Sequence, residues 1–392
     1  MNISLVCPAS LPATQFGGIL FLGVHIANKL SKVGHNVTIY TTDLDFSKEK
    51  MIFNKNLPKI EKINDFQIKR THVLWAIYLF FINPSMYIQM LRDKHDIIHV
   101  IGLRSFQAFI ATLISKKKKI PLIISDQGGL TTHPDIHEAS ALKRILIKMQ
   151  FPIIKYILRQ ADIILAANEY ERDIFLKLCD SSKIRIVRNG IDLDELKTSN
   201  IDFKRKYSIK NNFILFLGRF HKVKGVDVLL HSIHEIKNNP LLQNIDFVIL
   251  GSDFGYEKQM LQLIDELKIN NKVHVIKNLP RNDVIAAYNE CEFLVLPSRW
   301  ELSPLTPLEG FAFKKAVIST TAHGIPYTIK NDINSILVEP SNSHELARAI
   351  ITLIQDAKFC EKLGNSGYES VHETQNADSM VKKILEIYQD LK

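Results

Sequence analysis

Short apolar runs recur along the chain, each followed by a glycine-rich or polar turn and then by apolar positions spaced three and four apart. That alternation predicts strands and amphipathic helices in parallel α/β units. The first strand, 2–7, ends at Pro8; a loop with Gly17 and Gly18 opens a helix to about Lys32; Gly34 closes it and a second strand spans 36–40. Further strands are predicted at 97–101, 122–125 and 163–166. Asn168, followed three residues later by Glu171, forms a capping-box signal for a helix running through Leu178. The Asn189-Gly190 turn and the polar stretch 197–212, with a short helix in it, read as a connector. The alternation then restarts, with strands at 213–217, 246–250, 273–276, 293–296 and 316–319 and a short one at 335–338. The fold class is α/β, with two Rossmann-like domains at 1–192 and 193–376.

Composition agrees with two domains, because 392 residues exceed one ordinary core, and 46% hydrophobic with 23% charged residues suits a globular chain. The net charge of +9 is uneven: residues 1–195 hold 26 Lys and Arg against 18 Asp and Glu, residues 196–392 hold 24 against 23. A basic first half points to an acidic partner. No nucleic-acid motif or zinc-ligand spacing accompanies it, so no nucleic acid is expected and an anionic membrane surface is the better fit. The apolar segment 73–82, the helix 143–159 and the lysines 116–119 mix aromatics with cations as membrane-surface elements do. The four cysteines are scattered, which suits a reducing, cytoplasmic compartment. The longest apolar run, 73–82, is far short of the ~20 residues that cross a bilayer, so peripheral attachment is expected.

Candidate chemistry gathers at strand ends, where open α/β sheets bind ligands. The apolar strand ending at Leu296 hands over to Pro297 and Ser298, then to Glu301, with Glu309 eight positions on. Pro307 suits a first helical position, which puts Glu309 in a first turn. The strand 213–217 leads into Gly218, Arg219, His221, Lys222, Lys224 and Gly225. Glycines, cations and a helix start at one turn suit phosphate. Each residue alone reads equally well as a solvated surface group; the combination points to a ligand.

The Gly-Arg-x4-Lys-Gly run, the Glu-x7-Glu pair, the tract from Lys315 to Gly324 and the Gly17-Gly18 loop resemble family 4 of the retaining, nucleotide-sugar-dependent glycosyltransferases. The resemblance covers nearly the whole chain. It implies the GT-B fold, two Rossmann-like domains facing each other across a cleft, with the last helix, 377–392, crossing back to the first domain. It implies a nucleoside diphosphate sugar as donor, a hydroxyl of a lipid-linked or saccharide acceptor, and neither cofactor nor metal. Arg219 and Lys224 then hold the diphosphate, Glu301 the sugar and Glu309 the ribose hydroxyls. Backbone donors come from Leu305, Thr306 and Gly324, Gly17 and Gly18 approach the donor from the first domain, and Asp126 and Gln127 stand on the acceptor and sugar side. The chain departs from the family's habit at Ser303-Pro304, Ala322-His323-Gly324 and Tyr327, which affects donor-sugar identity more than catalysis, and at Gln127, which stands where a histidine is common and can hydrogen-bond but not take a proton at neutral pH. His99 reads as a satisfied strand histidine, and His133 has no assignment. Two Asp-x-Asp runs, Asp43 to Asp45 and Asp192 to Asp194, match the metal motif of another transferase class, yet lack a third nearby ligand. A sugar-nucleotide epimerase, a glycoside phosphorylase and a non-catalytic nucleotide-sugar binder are the rival readings.

Overall fold

The computed structural model describes residues 1–392 apart from 48–49, 78–79, 129, 131, 133, 135–140 and 198, and the backbone alone at 47, 141–144 and 146. Gly129 and His133 therefore lie outside the described residues. The chain divides into two compact units, Met1–Asn189 with Ala377–Lys392, and Gly190–Asn376. The division falls inside the Asn189-Gly190 turn rather than after residue 192. The reason is local: the Ile191 N–H donates to the Gln375 carbonyl and Ile191 bridges Asn376, tying these residues to the second unit.

The strands of the first unit are β1 (Asn2–Val6), β2 (Asn36–Thr42), β3 (Leu44–Ser47), β4 (Lys50–Phe53), β5 (Ile60–Ile63), β6 (Phe66–Thr71), β7 (Trp75–Ile77), β8 (Phe80–Ile82), β9 (Ile97–Ile101), β10 (Leu122–Ser125), β11 (Ile163–Ala166) and β12 (Ile184–Ile186). One sheet runs β12-β11-β10-β9-β1-β2-β6-β5, parallel except for the β5–β6 edge, while β3–β4 and β7–β8 are separate hairpins. The central strand β9 is buried along its whole length, as a parallel strand covered on both faces must be. β5 and β6 escape the sequence reading because polar residues interrupt them; in β6, Phe66, Ile68 and Arg70 are buried and Gln67 is exposed, the half-buried alternation of a sheet edge. The apolar segment 73–82 is the β7–β8 hairpin.

The closing helix Ala377–Asp390 belongs to this unit. It buries Met380, Val381, Ile384 and Tyr388, spaced as one helical face, in the core that includes Leu20, Val24 and Ala27 of the helix Gly18–Lys32. Lys29 pairs with Asp378 at 2.9 Å. The Tyr388 hydroxyl meets His99 Nδ1 at 2.8 Å, and Ser125 Oγ meets Nε2 at 2.8 Å. Burial lowers the His99 pKa to about 3, so the ring is neutral and satisfied, as its strand position suggested.

The second unit holds β13 (Asn212–Leu217), β14 (Ile245–Gly251), β15 (Val273–Lys277), β16 (Leu294–Val295), β17 (Val317–Thr320) and β18 (Ser335–Val338), all parallel in the order β15-β14-β13-β16-β17-β18. The order reverses direction between β13 and β16, and that switch point is where such sheets open a crevice. Successive residues feed opposite cores: Ile214, Phe216, Ile249 and Ile318 on one face, Phe213, Leu215, Val248 and Val317 on the other. Each such side chain contributes ~1.5–3 kcal/mol on burial, so the strand ends are held on a stiff platform.

Candidate active site

Two loops meet at the switch point of the second sheet. The first leaves β13 through Gly218 and Arg219, makes a 3-10 turn at Lys222–Lys224 and enters the helix Val226–Ile236. Gly225 has φ 69°, and a Cβ there would lie 2.0 Å from the Pro297 carbonyl oxygen, so only glycine lets the loops touch. The second loop leaves β16 through Pro297 and Ser298 toward Glu301. Arg299 clamps the two together: its N–H donates to the Val223 carbonyl at 2.7 Å, and its guanidinium holds Asp227 by both oxygens at 2.7 and 2.6 Å. It also donates to the Lys222 carbonyl at 2.7 Å and to Ser341 Oγ at 2.9 Å. The sequence reading missed Arg299; Asp227, an acid in a helix's first turn, is the one local signal for it.

The clamp brings Lys224 Nζ onto Glu301 Oε1 as an ion pair, with Ser298 Oγ 3.5 Å from the same oxygen. The two side chains keep 19% and 17% of their exposure, so the pair faces water and is open to exchange. They line a cavity with Leu217, Ser298, Pro304, Thr306, Pro307 and Ser319, at the carboxyl ends of β13, β16 and β17. Arg219 stands at the same loop, with its guanidinium 5.0 Å above the Phe254 ring, and is not among the lining residues. Lys224, Glu301 and Thr306 are thus brought together, and Arg219 is set beside them.

The helix after Glu301 begins earlier than its proline suggested. It spans Leu305–Ala312 with Pro304 as N-cap, and Pro307 takes the third position, where a missing N–H costs nothing. The first-turn N–H groups of Leu305 and Thr306 are then the donors of a helix N-terminus beside the cavity. Glu309 moves to the second turn and away from Glu301. Glu309 is 5% exposed and most of its acceptor positions are taken: Arg281 donates to Oε1 at 2.6 Å and to Oε2 at 3.2 Å, and the Tyr288 hydroxyl donates to Oε2 at 2.7 Å. Burial alone would lower the Arg281 pKa, but the Glu309 carboxylate outweighs it and holds the guanidinium's proton more tightly. Burial first, then Glu309, raises Tyr288 well above its ordinary value. Glu195 accepts from Arg281 Nε at 3.0 Å on the other side. Arg281 and Tyr288 carried no signal in the sequence, since the contact joins separate helices. The expectation that both Glu309 oxygens are available to a ribose is therefore corrected.

Gly324 is also corrected. Its N–H donates to the Glu301 carbonyl at 3.0 Å and is not available to a phosphate. A Cβ at Gly324 would fall 1.7 Å from the Leu302 carbonyl oxygen, so this glycine exists for close backbone approach beneath Glu301.

In the first unit, Gly17 has φ 96° and caps the helix Gly18–Lys32, with Gly18 as its first residue. Open space surrounds the position of a Gly17 Cβ, so backbone conformation is the reason for glycine there. Gln127, with φ 58°, spends its side-chain amide on Asn189, donating to Oδ1 at 3.1 Å and accepting from Nδ2 at 2.9 Å. That reciprocal pair leaves it a loop brace where the sequence suggested a sugar contact. Asp126 is 1% exposed and accepts from the Leu130 N–H at 3.0 Å. Glu171, read only as a capping residue, reaches past Asn168 to the Ala167 N–H at 2.6 Å and the Gln127 N–H at 3.3 Å. Burial, helped by the charge of Asp126 and opposed by those two N–H groups, raises the Glu171 pKa to about 8.

The first Asp-x-Asp run is built into the fold. Asp43 holds His72 Nδ1 at 2.5 Å and the Val73 N–H at 3.1 Å, and Asp45 accepts from Asn54 Nδ2 at 2.8 Å. In the second, Asp192 accepts from the Asp194 N–H at 3.1 Å. Among the described residues no three His, Cys, Asp or Glu side chains form a group suited to a metal, and no helix is long and apolar enough to cross a membrane. The four cysteines are free.

Residues 198–370 match the model of glycosyl transferases group 1, and residues 16–195 match that of glycosyltransferase family 4. An uncharacterized glycosyltransferase of Methanocaldococcus jannaschii is 25% identical over 378 residues, covering 94% of this chain and 93% of its own. The Escherichia coli UDP-Gal:alpha-D-GlcNAc-diphosphoundecaprenol alpha-1,3-galactosyltransferase is 23% identical over 320 residues, covering 78% of each chain. The Anabaena protein HepE, solved in complex with UDP-glucose, superposes with a TM-score of 0.78 at 17% identity over 100% of both chains. The chain has the GT-B fold and belongs to the family 4, group 1 glycosyltransferases.

Proposed function

We propose that the protein transfers a sugar, with retention of anomeric configuration, from a nucleoside diphosphate sugar to a hydroxyl of a lipid-linked or saccharide acceptor in envelope glycan or glycoconjugate synthesis. The observation that carries this reading is the convergence of Lys224, Glu301 and the N-terminus of the helix Leu305–Ala312 on one cavity at the switch point. Uridine diphosphate is the first nucleotide to test, given the donor named for the Escherichia coli relative and the ligand of the Anabaena structure.

The chemistry follows from charge. Breaking the bond between the anomeric carbon and the phosphate oxygen leaves negative charge on the diphosphate and positive charge on the sugar. A diphosphate entering the cavity offers Lys224 a partner of higher charge than Glu301. The ion pair opens, Lys224 takes the phosphate, and Glu301 turns to the sugar hydroxyls and the anomeric carbon. The Leu305 and Thr306 N–H groups add fixed dipoles aimed at the leaving group, and Arg219 supplies a second cation at the same loop. The departing phosphate oxygen accepts the proton of the incoming hydroxyl as the new glycosidic bond forms on the same face, so no protein base is required and no metal or cofactor is invoked. Glu309 keeps one acceptor position on Oε1 for a ribose hydroxyl.

The test is a thermal-shift panel of UDP, GDP, ADP and CDP sugars, followed by product analysis with and without an added acceptor. UDP sugars should raise the melting temperature most, and transfer should depend on the acceptor. Turnover of the donor alone to an epimer would replace the transferase reading with an epimerase, phosphate-dependent exchange would favour a phosphorylase, and binding without turnover of any kind would leave a binder.

A further inference from the structure

His72, His95 and His99 lie among the strands of the first sheet and are used differently. His95 is 8% exposed, with Nδ1 on Ser4 Oγ at 2.6 Å and Nε2 on the Met90 carbonyl at 2.6 Å. His99 spends both nitrogens on Tyr388 and Ser125. His72 spends one. Its Nδ1 lies 2.5 Å from Asp43 Oδ2, its side chain keeps 33% of its exposure, and Nε2 has no partner among the described residues.

The meeting of His72 with Asp43 follows from register. β2 and β6 run parallel with Thr41 beside Arg70 and Thr42 beside Thr71, so the next residues, Asp43 and His72, meet just past the two carboxyl ends. The Asp43 side chain is 6% exposed, and its other oxygen accepts the Val73 N–H at 3.1 Å. A carboxylate can only accept, so the ring donates from Nδ1 and the neutral imidazole keeps its lone pair on Nε2. Packing accounts for His95 and His99. For His72, a buried carboxylate fixes one tautomer and leaves the accepting atom at the surface, on the edge where parallel sheets take ligands.

We infer that His72 binds a hydroxyl of an uncharged sugar, which on the transferase reading above is the acceptor. An Nε2 lone pair takes an O–H, whereas a phosphate needs a donor or a cation. The nearest cation along the strand, Arg70, is spent: it donates to Glu61 at 2.6 Å and to the Leu11 and Pro58 carbonyls at 2.6 and 3.0 Å. An anion at Nε2 would also face the Asp43 charge behind the ring. Trp75, three residues beyond His72 and so within ~11 Å along the backbone, is 71% exposed and offers a flat apolar surface to the C–H face of a sugar ring. His72 orients the hydroxyl and no proton passes through it, since the departing phosphate oxygen takes that proton in the reaction proposed above.

The experiment uses the full chain without donor and the methyl glycosides of glucose, galactose, mannose and N-acetylglucosamine, with binding titrated by saturation-transfer NMR. At least one glycoside should bind, and inorganic phosphate should not displace it. His72→Asn keeps a donor for Asp43 but has no atom in place of Nε2, so it should melt like wild type and weaken binding roughly three- to tenfold, the loss of one hydrogen bond. His72→Gln puts an amide oxygen where Nε2 stood and should stay within about twofold of wild type. No glycoside binding by wild type, displacement by phosphate, unchanged affinity in His72→Asn, or a larger loss in His72→Gln than in His72→Asn overturns the inference. Affinity for UDP should be unchanged in both variants, because Lys224 and Glu301 belong to the other unit. A glycoside that binds through His72 yet receives no sugar from any donor of the panel would sink the transferase reading and leave this subsite standing.

Discussion

The two sheets use their strand ends in opposite ways. In the second unit, β13 and β16 deliver Lys224 and Glu301, charges of opposite sign, to a cavity in which both keep about a fifth of their exposure. In the first unit, β10 and β11 lead to Asp126 and Glu171, charges of the same sign, both 1% exposed. Residual water and an opposite charge leave the Lys224–Glu301 pair open to a competing partner of higher charge. Dryness and a like charge make Glu171 hold a proton to about pH 8. The parallel sheet sets where side chains gather, but sign and solvent decide whether the gathering is a site or a brace.

Removing the exchangeable cation is the most damaging way to probe this contrast. Lys224→Ala should lower turnover ~10²–10³-fold, the range for losing one preorganised partner of a developing charge. Glu301→Gln should lower kcat while sparing affinity for free nucleoside diphosphate, because the proposed role of its carboxylate is toward the sugar. Steady-state kinetics with isothermal titration of UDP separates the two. Wild-type kcat in Lys224→Ala would remove the open pair from the reaction and collapse the comparison.

Glu309 tests the boundary between the two kinds of site, since it lies in the second unit with Lys224 and Glu301 yet is buried and paired. Glu309→Ala should destabilise the protein by on the order of 3 kcal/mol, because Arg281 and Tyr288 lose a shared acceptor. Glu309→Leu combined with Arg281→Met should recover most of that loss. Urea denaturation measures both. A Glu309→Ala protein as stable as wild type would mean that the Arg281 and Tyr288 contacts contribute little to the fold and that this carboxylate is kept for the nucleotide alone.

The same distinction explains what was legible in the sequence. Glycine turns, apolar runs and the strand ends carrying Arg219, Lys224 and Glu301 are local patterns, and they locate the parallel strands and the switch-point loops. Arg281, Tyr288 and Arg299 act through partners far along the chain or on another element, which no spacing rule reveals. Gly324 shows a subtler loss: a glycine in a binding-loop tract looks like a phosphate donor until its N–H is seen on the Glu301 carbonyl. The edge strand β5 and its neighbour β6 were hidden by their polar half.

A graded effect should appear in the pH dependence of stability. The Glu171 pKa is raised from the ordinary 4.5 to about 8. Between those values the unfolded chain has released this proton and the folded chain retains it, so stability falls as pH rises, by at most ~1.4 kcal/mol per unit, and levels off above pH 8. Glu171→Gln removes the term. The variant's stability relative to wild type should therefore climb from pH 5 to pH 8, measured by urea midpoints across that range. A difference independent of pH would mean that the buried carboxyl pair holds no proton, and the contrast with Lys224–Glu301 would rest on exposure alone.

The smallest expected effect is that of metal, and it probes whether first-unit carboxylates take part in holding the donor. Asp43 and Asp45 have the spacing of a metal motif, but Asp43 is 4% exposed and bound to His72 and the Val73 N–H, while Asp45 holds Asn54. To bind a cation, Asp43 would have to surrender both partners inside a packed core, and a hard divalent ion would still need further oxygen ligands. In the proposed reaction the diphosphate finds Lys224, Arg219 and the donors of the helix Leu305–Ala312, so added positive charge has little left to neutralise. Excess EDTA should then leave turnover within about twofold of its value with added magnesium or manganese, a difference of ~0.4 kcal/mol in barrier. Asp45→Asn should behave like wild type under both conditions, and Asp194→Asn likewise. Activity abolished by EDTA, restored by metal and lost in Asp45→Asn would move the donor's charge partner to the first unit and reverse the roles assigned to the two sheets.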